Sequence, residues 1–493
     1  MQHQYLSANA LAIANDWRPV YHLSRAAELM RIGAEWPRLS SIGVQLHDGW
    51  RFSDRAGSDW YLKNISLKDP AKRNPITAEY LPLNVTETQQ KRAEQYRIAI
   101  EGERYYRMRH IGEMHIKPDA KLMKPPAFSD LNSCITPNDI LLRRIGKVSA
   151  ALVSQYHRRH PVDANIAIIR GLNARQAVWL AYCLNQPLYK SYLEQQFSGS
   201  SLIRVGLKHL ANMPVTRCPV EFNELADEFH LNYESLVRSD DTLFALRKDV
   251  QGWLDQHLPL TDDSEGDAEP KFVARFFKAQ DLGLQLNYAA TEQASQARIL
   301  KEEFGCVPIR QLAAVNPKIT RLTHQHTTTG FQIIKIKDIN EQQAITKLTE
   351  SSSESAWRYH KRLLSKFDVL VSTFVQEPKV AIVSNEISAP TFASEQLAVL
   401  NFHHTPGAYA LLMETPMVRR QITGLATGMV QRFIQPKMLE RIVLPRIDRD
   451  MAHKWHHQLI ELLKEKASAN EKLEALYKKM YLVYRQLHPE MNR

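Results

Sequence analysis

Apolar residues spaced three and four apart mark two long helices in this chain. In the first, Phe222, Phe229, Leu236, Leu243 and Val250 recur every seven residues; Leu225, Leu246 and Trp253 fill a companion stripe that Asn232 and Ser239 interrupt. In the second, Trp455, Leu462, Ala469, Leu476 and Val483 recur at the same interval, with Leu459, Leu473, Met480 and Leu487 between them and Lys466 as the break. Such a seam is the pattern of a coiled coil, and a helix of about 36 residues would be roughly 50 Å long. Neither seam can be buried alone, so the pattern predicts that the two helices pair with each other. The alternative is that each packs on its own domain as an ordinary amphipathic helix.

The rest of the pattern is written twice. PNDILLRRIGKVSAALV from Pro137 and KFDVLVSTFVQEPKVAIV from Lys366 each place an acid before a strand-like apolar run, a polar turn and a second apolar run. Setting Asp139 against Asp368 gives an offset of about 229 residues. Upstream, YYRMRHIG from Tyr105 lies against IIKIKDIN from Ile333, shifted by about one residue, with Ile111 opposite Ile339. Downstream, Pro187 falls opposite Pro416 and Gly199 opposite Gly428; then Lys208 falls opposite Lys437 and Leu210 opposite Leu439. Nearer the N-terminus, EWPRLSSIGVQL from Glu35 is a candidate counterpart of CVPIRQLAAVN from Cys306, after which about 40 additional residues intervene in the first half. The role of that insertion and the bounds of the first domain stay open.

Composition narrows the class. With 493 residues, 44% hydrophobic and 24% charged, the chain is long enough for two to four globular domains. A formal net charge of +11 points towards a polyanion or an anionic surface, although 53 acidic residues among 64 basic ones make that signal moderate. TDDSEGDAEP, Thr261 to Pro270, carries five acids and no base and reads as a linker. Cys134, Cys183, Cys218 and Cys306 are scattered without a CxxC pair, which argues against a disulfide framework and for a reducing compartment. No secretory pattern opens the chain and no run approaches about 18 apolar residues, so a cytoplasmic protein with no membrane partner is expected.

Several chemistries lack their motifs. No GxxxxGK phosphate loop occurs, nor an N/D-P-P-Y/F tetrapeptide, nor a Gly-rich cofactor loop after a strand. Asp368 followed by Glu377-Pro378-Lys379 does imitate the acid and E-x-K spacing of metal-dependent nucleases. Its sister copy has Val148, Ser149 and Ala150 in the corresponding stretch. Histidines cluster at His157/His160, His324/His326 and His453/His456/His457, without a partnering Cys or acid pair, so solvated or DNA-facing roles are expected rather than metal ligation.

Taken in order, the blocks NDILLR (Asn138 to Arg143), FDVLVS (Phe367 to Ser372), KHLANMP (Lys208 to Pro214) and KMLERIVLP (Lys437 to Pro445) resemble those of the specificity subunit (HsdS) of type I restriction–modification systems. The resemblance covers roughly residues 100–257 and 300–490. It implies an α+β fold of two tandem target-recognition domains, each followed by a long helix, the helices pairing as an antiparallel coiled coil. The expected bounds are a first recognition domain over 1–218 and a first spacer helix over 219–258. An acidic linker over 259–270, a second recognition domain over 271–447 and a second spacer helix over 448–489 follow. It further implies reading of a bipartite, asymmetric double-stranded DNA target, docking of two methyltransferase subunits and a possible place for a restriction or translocase subunit. No catalysis and no cofactor of its own is implied, S-adenosylmethionine being expected only on the partner methyltransferases. A nuclease using Asp368, Glu377 and Lys379, or a coiled-coil scaffold, remain the competing readings.

Candidate DNA contacts are the polar and basic positions in or beside the repeated blocks. In the first half they are Arg107, Arg109, His110, Arg143, Arg144, Lys147, Arg204 and Lys208. In the second they are Gln325, Thr327, Thr328, Lys335, Lys337, Lys379, Gln431, Arg432 and Lys437.

Overall fold

The computed structural model describes residues 25–48, 106–117, 134–157, 162–195, 197–198, 204–258, 292–316, 319–321, 331–339, 349–351, 360–374, 378–384, 387, 390–427 and 432–487. The expected linker over 259–270 lies outside them. Two compact units divide the chain: Met1–Arg238 with Ala469–Arg493, and Ser239–Ser468.

Short apolar runs build the first unit's sheet. Strands β1 (Gln45–Asp48), β2 (Ile140–Arg143), β3 (Ser149–Leu152) and β4 (Ile166–Arg170) pair antiparallel in the order β1-β4-β2-β3. Apolar residues on both faces produce continuous Ile/Leu/Ala runs rather than polar alternation. Ile140, Leu142, Ala150 and Ile169 face one apolar cluster, while Leu141, Ala151, Ile166 and Ile168 face another. Helices α1 (Arg25–Ile32), α2 (Ala174–Leu184), α3 (Pro187–Gln195) and α4 (Leu207–Ala211) accompany the sheet, with a short pair of strands, β5 (Phe197–Ser198) and β6 (Arg204–Val205). Asn173 and Gln176 start α2 with a reciprocal capping box. Just past the helix, Asn185 gives its amide to the Ala150 carbonyl (2.8 Å) and accepts the Ala150 N–H (3.0 Å), covering the edge of β3 together with the Met114 backbone.

The second unit repeats this order. Helix α6 (Glu292–Glu302), β7 (Val307–Pro308) and β8 (Ala313–Val315) come first. Then follow β9 (Ile319–Arg321), β10 (Phe331–Ile334), β11 (Thr349–Ser351), β12 (His360–Leu363), β13 (Val369–Ser372), β14 (Val380–Ile382), β15 (Thr391–Ala393) and β16 (Leu397–Phe402). Strands β8-β16-β13-β14 form a sheet whose order matches β1-β4-β2-β3, strand for strand. Helices α7 (Pro406–Met413), α8 (Pro416–Leu425) and α9 (Pro436–Leu439) and strand β17 (Val443–Leu444) follow. Five more strands form a second sheet, β11-β10-β15-β12-β9, in which β10 and β15 run parallel. Its counterpart in the first unit is the parallel bridge between Tyr106 and Val162.

Equivalent hydrogen bonds fix the repeat. Leu39 N–H donates to the Met213 carbonyl (2.9 Å), as Ile309 N–H donates to Ile442 (2.8 Å). The segment from Glu35 is therefore the counterpart of the segment from Cys306, and the extra residues of the first half fall between β1 and β2. The residue preceding each key aspartate is left-handed, Asn138 at φ 66° and Phe367 at φ 71°. Asparagine tolerates that region, whereas phenylalanine pays about 1–2 kcal/mol, offset by its ring packing edge-on against His456 at 5.2 Å.

Both predicted long helices form: α5 (Asn223–His257) has 35 residues and α10 (Arg449–Leu487) has 39. Each unit contains part of both. In the first, Phe229 meets Tyr477 edge-on at 5.4 Å, and Tyr484 packs on Trp179 and Tyr182. In the second, Trp253 meets Trp455 at 5.6 Å, the Trp455 indole donates to Asp249 (3.1 Å) and Lys466 pairs with Asp240 (2.6 Å). Later positions on α5 thus meet earlier positions on α10, an antiparallel pair. The companion stripe of α5 differs from the sequence expectation. Ala226, Tyr233 and Val237 are buried there, because the start of α5 packs on its own sheet. The Tyr233 hydroxyl donates to the Leu152 carbonyl (2.7 Å), and Glu234 accepts from the Ser154 hydroxyl (2.7 Å). Pairing and packing on the home domain coexist.

Candidate nucleic-acid interface

A repeated feature that carries exposed cations is a pair of one-turn 3-10 segments, Met108–His110 and Ile336–Asp338. Each is closed from inside. The His110 imidazole Nδ1 accepts the Arg107 backbone N–H (3.0 Å), and Asp338 Oδ2 accepts that of Lys335 (2.8 Å). The next carbonyl is also held: Ser149 Oγ donates to Ile111 (3.0 Å), and Lys379 Nζ donates to Ile339 (2.7 Å). Met108 and Ile336 pack against apolar clusters below. Arg107, Arg109, Lys335 and Lys337 stand exposed above.

Three of the sequence candidates therefore serve the fold rather than a ligand. His110 is 1% exposed and closes its turn. Lys379 is committed to the Ile339 carbonyl. Arg144 is 1% exposed, bridging Asp48 (2.5 Å) and the Ala164 carbonyl (2.6 Å), because the strand end must satisfy backbone groups that water does not reach. Half-buried Arg143 turns back on the Ile145 carbonyl (2.9 Å). Lys147 is exposed and 3.8 Å from Glu113, and Arg432 donates to the Thr423 carbonyl (3.0 Å) from an exposed position. Lys208 on α4 and Lys437 on α9 are exposed at equivalent places. Arg204 starts β6, but its side chain lies outside the described residues, as do Gln325, Thr327, Thr328 and Gln431. One cation escaped the sequence reading. Lys117 is exposed, and its N–H donates to the His110 carbonyl (2.8 Å), beside the first turn. The only signal for it was the bare charge, since the repeat search offered it no partner.

The nuclease-like spacing is not assembled. Asp368 is fully buried and accepts from the Ser365 N–H (2.7 Å) and the Asn401 amide (2.7 Å). Asp139 does the same work in the first copy, accepting from the Thr136 N–H (2.8 Å) and from Arg170. Glu377 lies outside the described residues. Among the described residues no group of three or more His, Cys, Asp or Glu is placed to hold a metal ion, and no helix is long and apolar enough to cross a membrane.

The histidines at the start of α10 are not all solvated. His453 and His457 are exposed, but half-buried His456 accepts the Gly407 N–H through Nδ1 (3.0 Å) at the start of α7. A Cβ on Gly407 would stand 2.7 Å from that nitrogen, so glycine is what permits the approach. Burial, with the neighbouring His453 and His457, lowers the His456 pKa. The folded state thus holds the ring neutral while the unfolded chain takes up a proton, and stability should fall as pH drops below about 6.5. His456→Asn keeps an acceptor but cannot titrate. Thermal midpoints measured from pH 7 to pH 5 should fall less steeply for this variant than for the wild type, and equal slopes would refute the assignment.

No protein-family model and no curated protein matches the chain. Solved structures to which the chain is similar include the S subunit of a type I restriction–modification system from M. genitalium. It is 10% identical with a TM-score of 0.34, over 92% of this chain and 94% of that one. The HsdS subunit from Thermoanaerobacter tengcongensis is 12% identical with a TM-score of 0.22, over 77% and 92%. A chain from work on complex assembly and conformational transition of the type I R-M system has the same identity and score, over 81% and 96%.

Proposed function

We propose that this chain is a DNA sequence-specificity subunit of the type I restriction–modification class, with no catalysis of its own. The observation that carries it is the duplication of one frame around unlike inserts. The same four-strand order occurs in both units. Between its edge strand and its second strand, each copy inserts a different segment, 49–139 in the first and 316–368 in the second. A shared frame with unlike inserts suits a reader of two unlike half-sites, because base edges are distinguished by side chains while phosphates are alike everywhere. The sequence blocks that resemble those of specificity subunits support the same reading.

On this proposal each copy reads one half of a bipartite, asymmetric double-stranded target, and the long helices act as the spacer. Two methyltransferase subunits would dock on the chain and carry the S-adenosylmethionine, and a restriction or translocase subunit would join them in a restricting complex. The direct test is selection of bound duplexes from a random pool, with and without methyltransferase subunits. Two short enriched motifs separated by an unread gap of fixed length are expected. Absence of any enrichment in both arms, or Mg²⁺-dependent cutting by the chain alone, would overturn the proposal.

A further inference from the structure

We infer that the two exposed 3-10 turns are matched phosphate clamps, which give each half of the protein the same sequence-independent hold on duplex DNA. This inference rests on the DNA-reading proposal and adds to it which residues grip the backbone rather than the bases. From Arg107 to Ile111 and from Lys335 to Ile339, the burial pattern is identical: exposed, intermediate, exposed, buried, buried. Both turns are closed by the side chain of their last residue and braced at the following carbonyl. The closing and bracing chemistry has changed between copies, histidine to aspartate and serine to lysine. The exposed charges have not. Lys and Arg together make 64 of 493 residues, so two coincident cations within one five-residue turn exceed what composition supplies.

The kind of change matters. Arg107 and Arg109 are replaced by Lys335 and Lys337, which keep the charge and lose the guanidinium fork. A position that reads guanine needs that planar, bidentate geometry, whereas a phosphate accepts a point charge. Two copies that read different bases have only the phosphate backbone in common as a partner. Within each otherwise unlike insert, a turn closed by its own last side chain carries the pair of cations.

The experiment measures binding of the full chain to mixed-sequence fluorescent duplex between about 50 and 200 mM salt. Arg107→Gln/Arg109→Gln and Lys335→Gln/Lys337→Gln should each make the slope of log K against log salt shallower by about two. Motifs enriched from a random pool should stay the same. Lys478→Gln/Lys479→Gln on exposed positions of α10 removes the same charge and should leave the slope unchanged. An unchanged slope in either turn variant, an altered base preference, or an equal loss in the α10 variant would overturn the clamps. If the wild type selects a bipartite motif while the turn variants keep its slope, only the clamps fall. If the wild type binds no DNA, the DNA-reading proposal falls with them.

Discussion

Asp240→Ala is expected to destabilise the chain by about 3–5 kcal/mol, more than most substitutions of a helix residue would. Its partner Lys466 is 1% exposed, with the ammonium 2.6 Å from the carboxylate. Burial pushes the Lys466 pKa down, and Asp240 pulls it back. Without the aspartate the buried cation loses its nearest carboxylate, with that of Glu414 still acting on it. The same pair exchanged for apolar residues, Asp240→Leu with Lys466→Met, should be neutral or more stable by about 1–4 kcal/mol. Its loss would appear elsewhere. Ser239 lies 3.1 Å from Glu465, so one polar layer crosses a seam otherwise made of Leu243, Leu246, Leu459 and Leu463. Sliding either helix by a heptad would set the ammonium against an apolar layer, which makes this pair a register key. Urea denaturation of the two variants checks the energies, and hydrogen exchange along α5 and α10 checks the register. Asp240→Ala within about 0.5 kcal/mol of wild type would refute the assignment.

That layer also shows where sequence reading stops. Ser239 and Lys466 were legible as interruptions of two heptad seams, and each alone counted against a clean coiled coil. Their meeting depends on the antiparallel register, which a list of apolar positions does not contain. The repeat was easier, because Asp139 and Asp368 each precede an apolar strand and turn at a constant offset. Even the N-terminal counterpart from Glu35 was legible from a proline and a few apolar residues. Site residues were not legible to the same depth. Arg144 and Lys379 look like surface cations in sequence, yet each donates to a backbone carbonyl supplied by a distant segment, whereas His110 closes its own turn. Charge is local information, and the carbonyl or N–H it satisfies is tertiary.

Asp139→Ala should cost its sheet more than Asp368→Ala costs the other, although the two residues are equivalent. Both are buried and both accept one backbone N–H at the mouth of the second strand. They differ in what comes across from the neighbouring strand. In the first copy Arg170 brings a guanidinium to Asp139 at 2.7–3.2 Å, and the pairing raises the pKa of Arg170. Removing Asp139 leaves the half-buried guanidinium with the Cys134 carbonyl, for a cost of about 1.5–3 kcal/mol on top of the unpaired Thr136 N–H. In the second copy the partner is the neutral, half-buried amide of Asn401, so the loss is that amide's hydrogen bond and an unpaired N–H, about 1–3 kcal/mol. Hydrogen exchange read separately on β2–β4 and on β13–β16 resolves the two, because each sheet reports its own opening. Equal protection losses would mean that the ion pair adds nothing over the amide. Asp368→Asn sharpens the functional side: it should leave the exchange pattern of its sheet close to wild type and have no cleavage activity to abolish. A stable Asp368→Asn that loses Mg²⁺-dependent cutting present in the wild type would instead restore the nuclease reading and make the buried carboxylate a metal ligand.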